Sequence, residues 1–187
     1  MAKRPIMLIV FIHNDLEGTN EDLLYQDHFD WLADEIARIS GRITDVTFVQ
    51  PSDAPALSSL DYKTEDLDDL FVSLEAGLLK YINSAKSAIH DNSIYKCLLL
   101  TRDSINKTTL GVAYTPGNLG IASFDPKSTA AHEFGHMFNA THQDSGDVRT
   151  YWGHAKSVMY ATTEKTAAFS FSSKNQENIR NYLKRYG

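Results

Sequence analysis

The stretch HEFGHMFNATH, residues 132–142, is the part of this sequence that says most about its fold. Residues four apart on a helix lie on one face, so the imidazoles of His132 and His136 can hold the same zinc ion. Glu133 lies between them, where its carboxylate can act as a general base. His142 follows beyond a position at which the helix can end. Three nitrogen ligands leave one coordination position open, which is typical of a catalytic zinc site.

A methionine follows the histidines in the segment Ser157-Val158-Met159-Tyr160. HExxH alone would arise by chance in about one chain in a hundred of this length and composition. The third histidine and the methionine lower that frequency by a further factor on the order of a hundred. Together they match the pattern HExxHxxGxxH followed by a Met-turn. The chain therefore resembles the metzincin clan of zinc metallopeptidases.

The sequence departs from the metzincin pattern at Asn139, where the family usually has glycine. In members of the family, the chain leaves the helix at this position with positive φ, which places the third histidine beside the other two. Asparagine is the non-glycine residue that best tolerates this left-handed conformation. We therefore predict that the helix ends at Asn139 and that His132, His136 and His142 are the zinc ligands.

The resemblance implies roles for the residues around the histidines. Met159 would pack beneath the ligands as an apolar floor, and Tyr160 would help to form the wall of a substrate pocket. Some metzincins have a tyrosine two residues after the methionine that can reach the zinc. That residue is Ala161 here, so we expect no tyrosine ligand. The cysteine cluster of the archaemetzincin type is also absent, so we expect one catalytic zinc ion and no structural one.

Three further side chains are alternatives to His142 as the third ligand. His154 could replace it or stabilise an oxyanion, and Asp144 or Asp147 could bind zinc or calcium, since an aspartate ends the motif in some relatives. His142 already occupies the required offset. We therefore interpret the other three as solvated side chains of a loop.

The order of apolar segments predicts an α+β, zincin-like fold with a twisted, mostly parallel sheet. Strands are expected at Ile6–Ile12, Ile43–Val49 and Ile94–Leu100. Two large helices connect them. The first has apolar residues at helical spacing and ends at Ser40-Gly41, and the second is predicted to be capped by Thr64 and to extend to Ile89. The zinc-binding helix, about Lys127–Phe138, comes later.

The segments Leu110–Tyr114 and Leu119–Phe124 are predicted to pair as strands just before that helix. By the resemblance, the first of them is an antiparallel edge strand bordering the cleft. Its residues Gly111, Val112, Ala113 and Tyr114 would bind an extended peptide through free backbone groups. The alternative is an ordinary hairpin strand.

Length and composition favour a single domain. We interpret residues 1–187 as one catalytic domain, with an upper subdomain of about residues 1–138. The lower subdomain, about residues 139–187, is expected to be small and irregular and to end in a helix, about Lys174–Arg185. It would begin with a polar loop at Gln143–Gly153. The net charge of −6 argues against nucleic-acid binding as the main task.

The sequence predicts neither a signal peptide nor a membrane span. The apolar stretch Ile6–Ile12 is short and has no small-residue cleavage site after it, so a buried strand is expected. Cys97 is the sole cysteine and cannot form an intrachain disulfide. We expect synthesis in the cytoplasm, with non-classical export as an option.

Ligand geometry and resemblance together imply a zinc-dependent endopeptidase that acts on polypeptides. The alternatives are a zinc amidase acting on cell-wall or other non-protein amides, and a catalytically silent zinc-binding interaction module. Intact Glu133 argues against the silent module, because zinc retention does not need that carboxylate. Because the sequence begins at the first predicted strand, we expect either synthesis without a pro-segment or a catalytic domain cut from a longer protein. In the first case, and with no disulfide, the activity would need another restraint. This motivates the hypothesis of a toxin or effector peptidase held by a cognate protein inhibitor.

Overall fold

The computed structural model describes residues 3–85, 94–161 and 168–186, and its centre is a five-stranded sheet. The strands are β1 Ile6–Ile12, β2 Thr44–Val49, β3 Tyr95–Thr101, β4 Gly111–Ala113 and β5 Leu119–Ser123. Their order is β2-β1-β3-β5-β4, and only β4 is antiparallel to its neighbour. The predicted mixed sheet with an antiparallel edge strand is confirmed.

Helices cover both faces of this sheet. They are α1 Glu21–Leu24, α2 Asp30–Ser40, α3 Pro55–Ser58, α4 Leu67–Ala85, α5 Thr129–Met137 and α6 Ser173–Lys184. A π-helical turn at Tyr25–Phe29 joins α1 to α2. Gly41 ends α2 with a φ of 64°, in the left-handed region that glycine adopts without steric cost, as the Ser40-Gly41 signal predicts.

The alternation of side chains along β1 divides the core into two layers. Leu8, Val10 and Ile12 belong to a cluster with residues of α2, α5 and α6, whereas Ile9 and Phe11 belong to a cluster with residues of α3 and α4. Successive strand residues point to opposite faces, so a strand covered on both faces must be apolar throughout. Helix α5 carries His132 and His136, so the layer formed with α2 and α6 is the one that positions these two histidines.

Some predicted boundaries are wrong. Asp66, and not Thr64, caps α4, since its carboxylate accepts hydrogen bonds from the N–H groups of Asp68 and Asp69 at 3.1 Å. The side chain of Thr64 instead accepts from the N–H of Asp66. The predicted extension of this helix to Ile89 lies outside the described residues.

The segment predicted as a polar loop, Gln143–Gly153, contains most of a β-hairpin. Its strands are β6 Asp147–Thr150 and β7 Gly153–Lys156, which pair antiparallel. These strands have four residues each and are partly exposed, so they lack the apolar pattern from which a strand is predicted. Within the described residues, no helix has both the length and the apolarity needed to cross a bilayer.

Candidate metal centre

The end of α5 turns the chain sharply toward the third histidine. The N–H of Asn139 donates to the carbonyl of His136 at 2.8 Å, and the N–H of Ala140 donates to the carbonyl of Gly135 at 2.9 Å. These two bonds define a Schellman helix end, which requires a left-handed residue after the cap. Asn139 supplies it with a φ of 72°. The predicted left-handed exit is confirmed.

The three predicted histidines converge at their Nε2 atoms. These atoms are 2.9 Å apart between His132 and His142, 3.0 Å between His136 and His142, and 3.1 Å between His132 and His136. In the part of the chain that the structure describes, no other group of three His, Cys, Asp or Glu residues is placed to hold a metal ion.

Backbone carbonyls fix the tautomers of two of these rings. Nδ1 of His132 donates to the carbonyl of Val158 at 2.8 Å, and Nδ1 of His136 donates to the carbonyl of Ala140 at 3.0 Å. A carbonyl oxygen can only accept, so the proton of each neutral ring is on Nδ1. The Nε2 atom of each ring then carries a lone pair directed toward the other histidines. Such carbonyl partners are typical of metal-binding histidines.

The electrostatics of the cluster favour neutral rings. Burial, with a smaller contribution from neighbouring His136, lowers the pKa of His132 to about 4. Burial also lowers the pKa of His136 and of His142. The Nε2 lone pairs of His132 and His136, 3.1 Å apart, repel each other unless a positive charge lies beside them, and neutral imidazole is the form that binds zinc. The residues present therefore fit a zinc ion.

Glu133 is buried on the sheet side of the same helix. Its side chain is 4% exposed, and its Oε2 atom has no hydrogen-bond partner among the described residues. Burial raises the pKa of this carboxyl to about 8. An unpartnered buried carboxylate is costly and calls for an explanation such as a ligand or a catalytic role. A cation held by the adjacent histidines would supply that explanation, which is a second sign that they fit a metal.

The side chain of Glu133 occupies space that is free because residue 111 of β4 is a glycine. A Cβ atom at position 111 would lie 2.9 Å from both Cγ and Oε1 of Glu133 and 2.8 Å from the carbonyl oxygen of Ile121. Real Cβ atoms essentially never approach other atoms so closely. Only glycine therefore lets β4 pass at this distance from the carboxylate. The family resemblance predicts that Gly111 borders the cleft, but no pattern in the sequence indicates this contact with Glu133.

Met159 lies directly against α5. It is fully buried, and a Cβ atom at Gly135 would lie 2.5 Å from its sulfur and 2.7 Å from the ring of Phe171. The preceding residue, Val158, provides the carbonyl that orients His132. This segment therefore supports the histidines through packing and through a hydrogen bond. The glycine in HEFGH allows both side chains to approach the helix.

The histidines and Glu133 line a cleft of about 810 Å³. Gly111, Val112 and Ala113 of β4 line one side of it, and the other side includes Ser157, Val158, Tyr160 and Ala161. Tyr160 belongs to that lining, and its hydroxyl donates to Asp147 at 3.2 Å. Tyr114 is different, since it is absent from the lining and stacks on Phe71 with ring centroids 4.2 Å apart.

The register of β4 shows which of its backbone groups are free. Val112 lies opposite Ile121, and the N–H of Ser123 donates to the carbonyl of Leu110. Hydrogen-bonded and non-hydrogen-bonded pairs alternate along an antiparallel ladder, so Val112 is in a hydrogen-bonded pair with Ile121. The outward N–H and C=O groups are those of Gly111 and Ala113. The expectation that Val112 offers free backbone groups is therefore wrong.

The alternative ligands lie apart from the cluster. His154 is exposed on β7, opposite Arg149. The carboxylate of Asp144 accepts from the side chain of Asn178 at 2.6 Å, and that of Asp147 accepts from Tyr160. Asp144 and Asp147 are therefore not only solvated, as predicted, because each carboxylate also accepts a hydrogen bond from a side chain of another segment.

Comparison with known structures supports this fold. The chain is similar to archaemetzincin from Methanopyrus kandleri, with a TM-score of 0.53, 16% sequence identity and 96% of each chain covered. This chain has a zincin-like fold. No protein-family model and no curated protein sequence matches it. At 16% identity the similarity shows the fold alone.

The contact between Gly111 and Glu133 generates a prediction about stability. Gly111→Ala places a methyl group against a backbone carbonyl and a buried carboxylate, so we expect the free energy of unfolding to fall by about 1–3 kcal/mol. Gly146→Ala is the control, because a Cβ atom there meets nothing closer than 3.7 Å. Urea denaturation of both variants measures the difference. Equal stability of the two variants would contradict the close approach.

Proposed function

We propose that this chain is a single-domain zinc-dependent endopeptidase. The observation that carries the proposal is the convergence of the Nε2 atoms of His132, His136 and His142 beside the buried carboxylate of Glu133. The fold similarity to an archaemetzincin supports it. A silent zinc-binding module would gain nothing from a buried carboxylate without a partner, which costs stability.

The chemistry follows from the positions of these groups. His132, His136 and His142 would hold a zinc ion, and that ion would supply Lewis acidity, which makes water more acidic and stabilises negative charge on a carbonyl oxygen. Glu133 accepts the proton of the attacking water at its carboxylate and passes it to the nitrogen of the leaving amine. The carbonyls of Val158 and Ala140 keep the rings of His132 and His136 in the tautomer that binds metal.

The edge strand supports a polypeptide as the substrate. Gly111 and Ala113 direct their free N–H and C=O groups away from β5, and both residues line the cleft. An extended peptide can pair with such an edge as an added strand. A substrate without a peptide backbone would leave these groups unpaired. Tyr160 forms part of the wall, and Met159 supports the ligands from beneath.

The metal assignment predicts the effect of removing one ligand. His142→Ala leaves two nitrogens, so the purified variant should lose most of the one zinc ion per chain that we expect in the wild type. His154→Ala is the matched control and should keep its zinc, because His154 is exposed and apart from the cluster. Elemental analysis measures both. Full zinc in His142→Ala would remove His142 from the ligand set and leave Asp144 as the candidate.

The role of Glu133 predicts a loss of rate without a loss of metal. Glu133→Ala should keep its zinc while kcat falls about a hundredfold or more, which is the usual contribution of a general base. The test is cleavage of a peptide library read by mass spectrometry, with Glu177→Ala, an exposed position on α6, as the control. Cleavage by Glu133→Ala at the wild-type rate would show that the mechanism is wrong.

Substrate binding along β4 predicts a specific effect at Ala113. Ala113→Pro removes an outward N–H group, so KM should rise by several-fold to about tenfold, as expected for one lost hydrogen bond. Ala113→Ser keeps the N–H and should have a KM close to that of the wild type. Zinc content should be unchanged in both. A normal KM in folded Ala113→Pro would mean that the peptide does not pair with this edge.

A further inference from the structure

The third histidine is held differently from the other two. His132 and His136 lie on a helix, and their Nδ1 atoms donate to backbone carbonyls. His142 lies on an exposed segment after the helix, and its Nδ1 has no hydrogen-bond partner among the described residues. The position of its ring therefore depends on the backbone that carries it.

Asn175 of α6 holds that backbone immediately before His142. The N–H of Thr141 donates to Oδ1 of Asn175 at 2.8 Å, and Nδ2 of Asn175 donates to the carbonyl of Thr141 at 3.0 Å. The side-chain amide thus pairs with both backbone groups of one residue, as a neighbouring strand would. Asn175 is fully buried, so breaking this pair would leave polar groups without partners and would cost free energy.

The same helix also holds the backbone that follows His142. The hydroxyl of Ser172 donates to the carbonyl of Asp144 and accepts from the N–H of Asn175 at 3.1 Å. Nδ2 of Asn178 donates to the carboxylate of Asp144 at 2.6 Å. His142 therefore lies between two anchored residues, Thr141 and Asp144, and both are anchored to the beginning of α6.

We infer that Asn175 is a positioning residue for the metal centre and acts on His142 through the backbone of Thr141. The inference rests on the proposed zinc site. In metal sites, groups that orient a ligand without touching the metal typically change metal affinity by about 10–100-fold when they are removed. Asn175 would be such a group, although it is 33 residues away from His142 in the sequence.

The test is the zinc dissociation constant, measured by competition with a chromophoric chelator at constant pH. Asn175→Ala should bind zinc about 10–100-fold more weakly than the wild type. Asn181→Ala removes the same side chain from an exposed position of the same helix and should bind like the wild type. Circular dichroism and thermal unfolding of the zinc-free proteins report the fold independently of the metal.

A double-mutant cycle separates positioning from general destabilisation. If Asn175 acts through His142, Asn175→Ala should change the residual zinc affinity less than twofold when His142→Ala is already present. An equal loss in both backgrounds would overturn the inference, and so would wild-type affinity in folded Asn175→Ala. A wild-type protein that binds no zinc would instead refute the proposed function.

A second variant covers the case in which Asn175→Ala does not fold. Asn178→Ala breaks the bond to Asp144 at a half-buried position, so it removes one anchor and leaves Asn175 in place. It should weaken zinc binding by several-fold relative to Asn181→Ala. Affinity equal to that of Asn181→Ala would show that anchoring the segment after α5 to α6 does not position His142.

Discussion

The mutual repulsion of two imidazole lone pairs, those on Nε2 of His132 and His136, is the constraint on which this site depends. Two of the rings are locked with their protons on Nδ1, so the Nε2 atoms of His132 and His136 face each other at 3.1 Å with no proton between them. Such an arrangement persists only if rigid elements hold it or if a cation offsets the repulsion. Here the rigid elements are a helix end, the carbonyl of Val158 and the anchored segment that carries His142.

These elements come from distant parts of the chain, and small residues let them meet. Gly135 allows Met159 and Phe171 to pack against α5, and Gly111 allows β4 to pass beside Glu133. A methyl group at either position would move the helix or the carboxylate, because packed interiors have no spare volume. The two glycines therefore set the distances between the three histidines, Glu133 and the cleft, although neither glycine has a side chain.

The geometry of the histidines and of the helix end could be predicted from local sequence, whereas two contacts between distant segments could not. The helical histidine spacing and the left-handed tolerance of Asn139 are local properties, and both agree with the structure. The side to which Val112 directs its backbone depends on pairing with β5, and one residue of register reverses it. Asn175 pairs with Thr141, which is far away in the sequence. In the sequence pattern of an amphipathic helix, a buried asparagine cannot be told from an exposed polar residue, so this pairing could not be predicted.

In the proposed enzyme, Gly111 contacts both the peptide substrate and Glu133, the general base. The same residue offers outward backbone groups on the edge of the sheet and lies against the side chain of Glu133. A peptide paired with β4 would therefore have its backbone aligned by the same strand that fixes the carboxylate. In that enzyme, the alignment of a peptide with Glu133 and the three histidines would depend on one short antiparallel pair, because β4 is held by β5 and β5 leads into α5. A shift of that pair by one residue would turn the free groups of Gly111 and Ala113 inward and would also separate Gly111 from Glu133.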